Sequence, residues 1–406
     1  MSRRTRSRWK KRPSSWPRPA SAGSSIPTGQ KSFSGNWRVS LLKLVEGGWP
    51  IKERKQDHRP QLAVVMGDAT GIGPELVAKS LTMEETRRLC RPAVIGDARV
   101  MAEAIQLTKA HLKIAPRKNW EEVSGDTGLM EMFDLANLDP KEYKMGEVSA
   151  QAGKACLQYL EFAVGQVMAG KAEAIVFAPL NKLAMRLGGS PFKGELDHFI
   201  SMTRAEMAGE INVLEPLWTS RVTSHVGFRE ICDELTPDRI LRAITLLYLT
   251  MRQAGIEKPR IGVAALNPHG GEKGLFGPEE ETIIQPVVEK AKTQGMDVSG
   301  PFPADTIFVR ARKGEFEGIV TMYHDQGQIA TKLLGFDRGV TVSGGLPVIM
   351  ATPAHGTAHD IAGKGTADIG AFQAALRIAV RMARSSEKKS APPFRKQDTL
   401  PIHEKE

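Results

Sequence analysis

Short apolar runs alternate with helix-length amphipathic stretches along most of the chain. The first unit is QLAVVMGDATGIGPELVAKSL from residue 61, which predicts a strand, a glycine-rich turn and a helix that opens at Pro74. Further strands are predicted at 93–96, 174–180, 261–268, 318–323 and 339–342. Helices are predicted at 150–170, 237–255 and 279–294. Strands that alternate with helices indicate an α/β fold with a largely parallel sheet.

The two ends of the chain depart from this pattern. Residues 1–58 hold 14 Lys and Arg against 3 Asp and Glu, whereas the remaining residues hold 42 against 43. The net charge of +10 therefore comes from the N-terminal segment, and the neutral body argues against nucleic-acid binding. We interpret residues 1–58 as a disordered or wrongly assigned extension, with a transit peptide or a phosphate-gripping basic arm as alternatives. Residues 386–406 are polar and proline-broken, which predicts a disordered tail.

Composition restricts the class of protein further. The chain has 406 residues, 41% of them hydrophobic and 25% charged, which is enough to bury a large core. It contains no apolar run long enough to span a membrane. The three cysteines, Cys90, Cys156 and Cys232, lie far apart, so neither a disulfide framework nor a thiolate zinc site is expected. A cytoplasmic location is expected on this ground.

Three histidines follow strand-like runs in polar or glycine-rich surroundings. They are His225 in TSH, His269 in LNPHGGEKG and His324 in YHDQGQ. Because α/β sheets bind ligands at strand ends, these imidazoles with Asp305 and Asp325 are typical of a divalent-metal site. Hydrogen-bonded structural histidines are the alternative. The spacings are too long for a helical metal motif, and the sequence does not choose among zinc, cobalt, manganese and magnesium.

The glycine-rich segments are the candidates for nucleotide binding. GDATGIGPEL lacks the third glycine of the dinucleotide fingerprint, whose position is held by Leu76, so taken alone it predicts an ordinary tight turn. The densest glycine region is 324–368, where backbone N–H groups before a helix-like run are placed to contact a pyrophosphate. The predicted cofactor contacts in this region are Gly344, Gly345, His355, Gly356 and Thr357.

Taken together, the motifs resemble those of the 4-hydroxythreonine-4-phosphate dehydrogenase family, PdxA, from about residue 62 to 380. The matching blocks are GDATGIGPE, FAPLNK, TSH, ALNPHGGEKGLFGPEE, GPFPADTIF, MYHDQGQ, GFDRGV, GGLP and AHGTAHDIAGKGTAD. The resemblance implies a two-domain α/β/α fold similar to isocitrate and isopropylmalate dehydrogenases. Residues 60–155 with 330–385 would form one domain and 156–329 the other. It also implies a divalent metal, NAD with NADP as the alternative, and a homodimer whose active site draws on the partner subunit.

Most functional residues of the family fall on the same residue types here. They are the metal-binding histidines at His225, His269 and His324, the nearby acids at Asp305 and Asp325, and the substrate-contacting lysine at Lys332. We expect Lys332, Asp305 or Asp325 to transfer the proton.

The family's remaining substrate contacts are replaced. Glu195 and Leu196 occupy the positions of His and Thr in the family motif G-H-T-E-F. Thr341 occupies the position of a family asparagine, and Met350 that of a family arginine. Since each lost charged hydrogen bond costs about 1.5–3 kcal/mol, these changes predict weaker recognition of a phosphate. Glu195, Thr341 and Met350 are therefore the positions where we expect a changed substrate contact.

The leading hypothesis is an NAD-dependent, metal-assisted oxidation of a secondary alcohol in a small hydroxy acid, with decarboxylation of the product. The family substrate is 4-phosphooxy-L-threonine. The alternative is a catabolic dehydrogenase of a non-phosphorylated acid such as a cis-dihydrodiol carboxylate, which the apolar Leu196 and Met350 favour. A remote alternative is a non-catalytic binding protein that uses the fold as a scaffold.

Overall fold

Twelve strands form one mixed sheet in the computed structural model, which describes residues 59–388. The strands are β1 (Gln61–Val65), β2 (Arg91–Gly96), β3 (Lys113–Pro116), β4 (Leu129–Asp134), β5 (Ala174–Phe177), β6 (Gly209–Leu214), β7 (Leu217–Arg221), β8 (Arg260–Ala264), β9 (Asp297–Phe302), β10 (Gly318–Thr321), β11 (Val340–Gly344) and β12 (Ile349–Pro353). Their order across the sheet is β3-β4-β2-β1-β5-β12-β11-β6-β7-β10-β8-β9. The predicted α/β fold with a largely parallel sheet is confirmed.

Twelve α-helices connect these strands within residues 59–388. They are α1 (Gly73–Thr82), α2 (Glu84–Leu89), α3 (Ala98–Thr108), α4 (Ala150–Met168), α5 (Lys182–Leu187), α6 (Glu195–Thr203), α7 (Ile231–Glu234), α8 (Pro237–Gln253), α9 (Gln285–Thr293), α10 (Ala304–Arg312), α11 (His324–Gly335) and α12 (Gly370–Lys388). The residues around its first turn explain where α8 begins. The Thr236 hydroxyl accepts a hydrogen bond from the Arg239 N–H, and Pro237 occupies the first turn. None of the described helices is long and apolar enough to cross a membrane.

The strand directions reverse near the centre of the sheet. β3, β4, β2, β1, β5 and β12 run parallel to one another. β11 is antiparallel to both β12 and β6, and β6 is antiparallel to β7. β7, β10, β8 and β9 are again parallel. The carboxyl ends of β1, β2, β5 and β12 therefore lie at what we name the first edge, and those of β7, β8, β9 and β10 at the opposite, second edge.

Both faces of β1 and β5 are covered, which is why continuous apolar runs predict these two strands correctly. Leu62, Val64 and Val65 of β1 have no exposed surface. α12 packs on β12 and β5, α8 packs on β7 and β10, and α11 contacts β6, β7 and β10. The core therefore runs along the sheet and positions the strand ends that carry the candidate site.

The expected domain division stays a prediction. Residue 156 lies inside α4, and β5 pairs with β1 on one side and β12 on the other, so the sheet is continuous across that boundary. The expected N-terminal extension, residues 1–58, lies outside the described residues. Of the expected C-terminal tail, residues 386–388 complete α12 and the remainder lies outside the described part of the chain.

Candidate active site

The three candidate metal ligands follow three neighbouring strands at the second edge. His225 follows β7, His324 begins α11 after β10, and His269 follows β8. The ring centroids of His225 and His324 are 5.8 Å apart. The structure thus brings two of the three predicted imidazoles into one place.

His269 stands on a separate turn with an unusual backbone. It lies in the 3-10 turn Pro268–Glu272 with φ +54°, and Gly270 and Gly271 follow with φ +71° and +79°. This turn contacts α10, whose first turn contains Asp305. His269 and Asp305 therefore belong to adjacent elements, both exposed to solvent.

A buried glutamate anchors the loop that carries His269. Oε1 of Glu280 accepts hydrogen bonds from the backbone N–H groups of Leu266 and Asn267, each at 2.8 Å, and Oε2 accepts from Asn267 Nδ2 at 2.9 Å. The side chain is 2% exposed. Glu280 is the last residue of the GLFGPEE block, where the local sequence pattern indicates no role for it.

The donor chemistry fits a divalent metal, although one chain does not assemble the whole set. Among residues 59–388, no group of three His, Cys, Asp or Glu side chains is arranged to hold a metal ion. Nδ1 of His324 lies 2.7 Å from Oδ1 of Asp325, the carboxylate–imidazole pairing that orients histidine ligands in metal sites. His225 and His269 are exposed, so their rings are accessible.

A buried arginine holds the loop that leads to His225. Nε of Arg221 donates to Oγ of Ser224 at 2.7 Å, and Nη1 donates to Oδ1 of Asn212 at 2.8 Å. Nη2 donates to the Glu210 carboxylate. The Arg221 side chain is only 7% exposed, so this network fixes the residue before His225 from beneath.

The same network reaches α11 and Thr341. Gln328 Nε2 donates to Asn212 Oδ1 at 2.6 Å, and Asn212 Nδ2 donates to Thr341 Oγ1 at 3.1 Å. A small depression of about 20 Å³ beside it is lined by Asn212, Gln328, Lys332 and Ala354. Lys332 lies two helical turns after the start of α11 and is exposed. The structure thus connects Thr341 to the surroundings of Lys332.

At the first edge, the glycine turn after β1 packs against the segment after β12. Ile72 N–H donates to the Thr357 carbonyl at 3.0 Å. Thr70 Oγ1 donates to Asp68 Oδ1 at 2.9 Å and lies 3.2 Å from Nε2 of His359. Sequence reasoning missed this cluster because it treated the two glycine-rich motifs separately.

Asp68 is the buried centre of this first-edge cluster. Its side chain is fully buried, Oδ2 has no hydrogen-bond partner among the described residues, and this atom lies 3.8 Å from Nε2 of His359. Burial raises the pKa of Asp68, against the opposing effects of hydrogen bonds from Thr70 and the nearby imidazole. The loop before α1 is therefore joined electrostatically to the loop after β12.

Residues 88–379 match the family described as pyridoxal phosphate biosynthetic protein PdxA. The chain belongs to the PdxA family. A D-threonate 4-phosphate dehydrogenase from Cupriavidus necator is 43% identical, covering 80% of this chain and 98% of its own. A 4-hydroxythreonine-4-phosphate dehydrogenase structure from Burkholderia phymatum is 41% identical with a TM-score of 0.71, covering 80% and 99%. A terephthalate 1,2-cis-dihydrodiol dehydrogenase structure from Burkholderia xenovorans LB400 is 28% identical with a TM-score of 0.56, covering 80% and 98%.

These comparisons confirm the resemblance to PdxA and the class of enzyme predicted from the sequence, a dehydrogenase family acting on CH–OH. Two positions at which the sequence predicts a departure from the family, Glu195 and Met350, have different environments in this PdxA chain. Glu195 begins α6, with Oε2 3.6 Å from Nζ of Lys182 in α5. Met350 is fully buried within β12, so its side chain has no surface on which to touch a ligand in the described chain.

The residues predicted to contact the cofactor of this PdxA chain separate into two groups. Gly344 and Gly345 form the second-edge end of the β11–β12 hairpin, whereas His355–Thr357 follow β12 at the first edge. A five-residue strand places these groups about 15 Å apart.

Packing accounts for the glycines of the first group. A Cβ on Gly345 would lie 2.1 Å from the Met207 carbonyl oxygen, and one on Gly344 would lie 2.5 Å from Thr250 Oγ1. Gly356 differs, because it is exposed and a Cβ there would meet no atom within 4 Å. Gly356 and the partly exposed His355 are thus the accessible part of the predicted cofactor contact, whereas Thr357 is buried.

Proposed function

We propose that this chain is an NAD-dependent, divalent-metal-assisted dehydrogenase that oxidises the secondary alcohol of a small hydroxy acid and decarboxylates the product. The observation that carries this proposal is the cluster at the start of α11. There His324 lies beside His225, pairs with Asp325, and is followed on the same helix by Lys332. Family membership supports the dehydrogenase part.

His225, His269 and His324 would hold the divalent ion. When bound, such an ion supplies Lewis acidity at the substrate oxygen, favouring loss of the hydroxyl proton and formation of an enolate. The chain itself orients the imidazoles: Asp325 pairs with Nδ1 of His324, and Arg221 fixes the residue before His225. The Asp325 contact would orient the His324 ring before any ligand arrives, and the Arg221 contact would constrain the residue next to His225.

We assign the proton-transfer role in this proposal to Lys332 or Asp305. Asp325, the third predicted candidate, already pairs with His324, which favours an orienting role for it. Lys332 lines the depression beside Gln328 and Ala354, and its ammonium is exposed. Ala354 directly precedes the His355–Thr357 loop, which we propose contacts the dinucleotide. Substrate and cofactor would then meet near Lys332.

The active form is proposed to be a homodimer that completes the site across its interface. Large apolar side chains are exposed around the candidate ligands: Phe228 is 79% exposed, Leu275 72%, Ile329 61% and Leu333 83%. Ile329 and Leu333 lie one turn apart on α11, the helix that begins with His324. A partner subunit covering these side chains would stabilise them and bring further residues to the exposed histidines.

The substrate has two candidates. The names of relatives 41–43% identical favour a 4-phosphorylated hydroxy acid such as 4-phosphooxy-L-threonine or D-threonate 4-phosphate. The environment of Glu195 favours a non-phosphorylated acid such as a cis-dihydrodiol carboxylate. Its carboxylate already occupies the positive N-terminus of α6 and lies near Lys182, so a phosphate here would meet negative charge.

The deciding experiment measures NADH formation by the purified chain with a divalent ion, comparing 4-phosphooxy-L-threonine, D-threonate 4-phosphate and a terephthalate cis-dihydrodiol. Glu195→His is assayed in parallel, with Glu206→His as an exposed-surface control. If Glu195 excludes phosphate, Glu195→His raises kcat/KM for the phosphorylated acids about tenfold or more and leaves the dihydrodiol unimproved. Absence of turnover with every substrate and metal would refute the proposed activity and leave the binding-protein alternative.

A further inference from the structure

A second pocket lies far from the candidate active site. It has a volume of about 310 Å³, opens to solvent, and is bounded by the ends of α1 and α3 and the start of β4. Six strand positions separate β2 from β7 in the sheet, which corresponds to about 29 Å. The pocket is therefore distant from His225, and the His355–Thr357 loop lies at the opposite edge.

The charged side chains that line this pocket are all cationic. Lys79, Arg87, Lys109 and His111 line it, and none of its lining residues is an aspartate or glutamate. Lys109 and His111 are exposed at its mouth. Nζ of Lys79 is held in place by donating to the Ala367 carbonyl at 2.8 Å. A recess with several cations and no acid concentrates anions from solution.

Arg87 places a buried charge in the wall of the pocket. Its residue exposure is 3%, Nε donates to the Leu81 carbonyl at 3.2 Å, and Nη2 donates to the Leu129 carbonyl. Nη1 has no hydrogen-bond partner within the described range.

The carboxylate that interacts most strongly with Arg87 is Glu131, and it already has hydrogen-bond partners of its own. Glu131 accepts from Arg117 Nη2 at 2.8 Å and from the Gly125 N–H at 2.6 Å. Arg87 itself forms no ion pair with any residue of the described chain within 4.0 Å. A buried guanidinium without a close carboxylate is costly unless an anion lies near it.

We propose that this pocket binds a small phosphate-bearing anion, either inorganic phosphate or a phosphomonoester. Two lysines and an arginine suit a compact dianion better than a single carboxylate, because ammonium groups act as point charges for phosphate. The volume lies in the range of pockets for small ligands. The anion would sit over the Arg87 guanidinium and between Lys79 and Lys109.

The test uses substitutions at the exposed mouth, where folding is least affected. Lys109 has φ +53°, a left-handed conformation that asparagine tolerates, so Lys109→Asn removes the charge without adding backbone strain. It is combined with His111→Gln. Lys118→Asn is the matched control, because Lys118 is exposed and does not line the pocket. Lys332→Met reports any phosphate bound at the proposed active site.

Inorganic phosphate and glycerol phosphate are titrated into the full chain by calorimetry at low ionic strength, with thermal unfolding as the folding check. The expected result is saturable binding that Lys109→Asn/His111→Gln weakens at least about tenfold. Lys118→Asn and Lys332→Met would retain it. Tighter binding of glycerol phosphate would assign the site to a phosphomonoester, and equal binding to the free ion. Absence of saturable binding, unchanged binding in the double variant, or loss only in Lys332→Met would overturn the proposal.

Discussion

Replacement of Arg221 by methionine tests whether the network beneath the His225 loop stabilises the fold and the site together. The Arg221 side chain is 7% exposed and donates to Asn212 and Ser224 at 2.8 and 2.7 Å, besides its contact with Glu210. Methionine keeps most of the side-chain volume and removes all of these donors. The Glu210 carboxylate, 23% exposed, then loses its cationic partner.

The expected loss follows from this partial burial. Removing one partner of a buried ion pair costs about 3–5 kcal/mol, and the residual exposure of Glu210 places the loss near 3 kcal/mol. Arg221→Met/Glu210→Met should lose less stability than Arg221→Met alone, because no uncompensated carboxylate remains. Arg260→Met is the control: Arg260 pairs with Glu317 but is 47% exposed, so its loss should cost much less than the loss of Arg221.

Urea denaturation of Arg221→Met, Glu210→Met, the double variant and the Arg260→Met control measures these differences. If Arg221→Met costs no more than Arg260→Met, or if the double variant loses the sum of the two single losses, the network does not act as a coupled buried unit. A second readout is metal binding, which rests on the proposed function. Loss of the Ser224 contact should weaken it about 10–100-fold, the usual effect of removing residues that orient metal ligands.

Three further predictions concern packing, pH and thiol chemistry. Gly345 has φ +79° and a backbone oxygen 2.1 Å from the position of an added Cβ, so Gly345→Ala should lose more than about 2 kcal/mol of unfolding free energy. Gly356→Ala should lose about 0.5 kcal/mol or less and weaken NAD binding. Equal destabilisation of the two variants would contradict the packing role of Gly345. Burial lowers the pKa of His198, whose ring nitrogens lack hydrogen-bond partners among the described residues. The wild type should therefore lose stability relative to His198→Phe as the pH falls from the ordinary pKa of 6.5 through the lowered pKa. A stability difference in urea denaturation that does not change with pH would contradict this. Cys232 is exposed, while burial raises the pKa of Cys90 to about 12. A thiol reagent should therefore label one cysteine quickly in the native protein and none quickly in Cys232→Ser. Rapid labelling of a second cysteine would refute this prediction.

The apolar pattern was sufficient to predict β1, β2, β5, β8, β10 and β11. The runs at 93–96, 174–180 and 318–323 correspond to β2, β5 and β10, because strands buried on both faces are written as continuous apolar segments. The strands β3, β4, β6, β7, β9 and β12 were missed. In the partly exposed β3 and β9, the segments KIAP and DVSGPF carry no continuous apolar signal. The helix at 279–294 was also predicted, but its first turn is a π-helical turn over Glu280–Ile284, where Glu280 reaches back to the His269 loop.

The candidate site was predicted by residue type and assembled only by the topology. Strand ends followed by histidines indicated where ligands bind, and His225 and His324 meet because β7 and β10 are neighbours. The burial of Met350 and the packing of Gly345 depend on what lies across the sheet and hairpin, which no local motif states. For the same reason, sequence reasoning did not join Asp68 to His359, 291 positions later in the chain.

The sequence by itself determined the α/β class, six of the twelve described strands and the family, because these depend on local periodicity and on ordered blocks of residues. The tertiary structure decided the reversal of strand direction at β11 and β6, which sends the histidine loops and the His355–Thr357 loop to opposite edges. It also decided the cationic pocket around Arg87, whose lining comes from α1, α2, α3 and the loop before β4. Strand order and long-range packing arise from contacts between distant segments, and local sequence pattern does not encode which segments become neighbours.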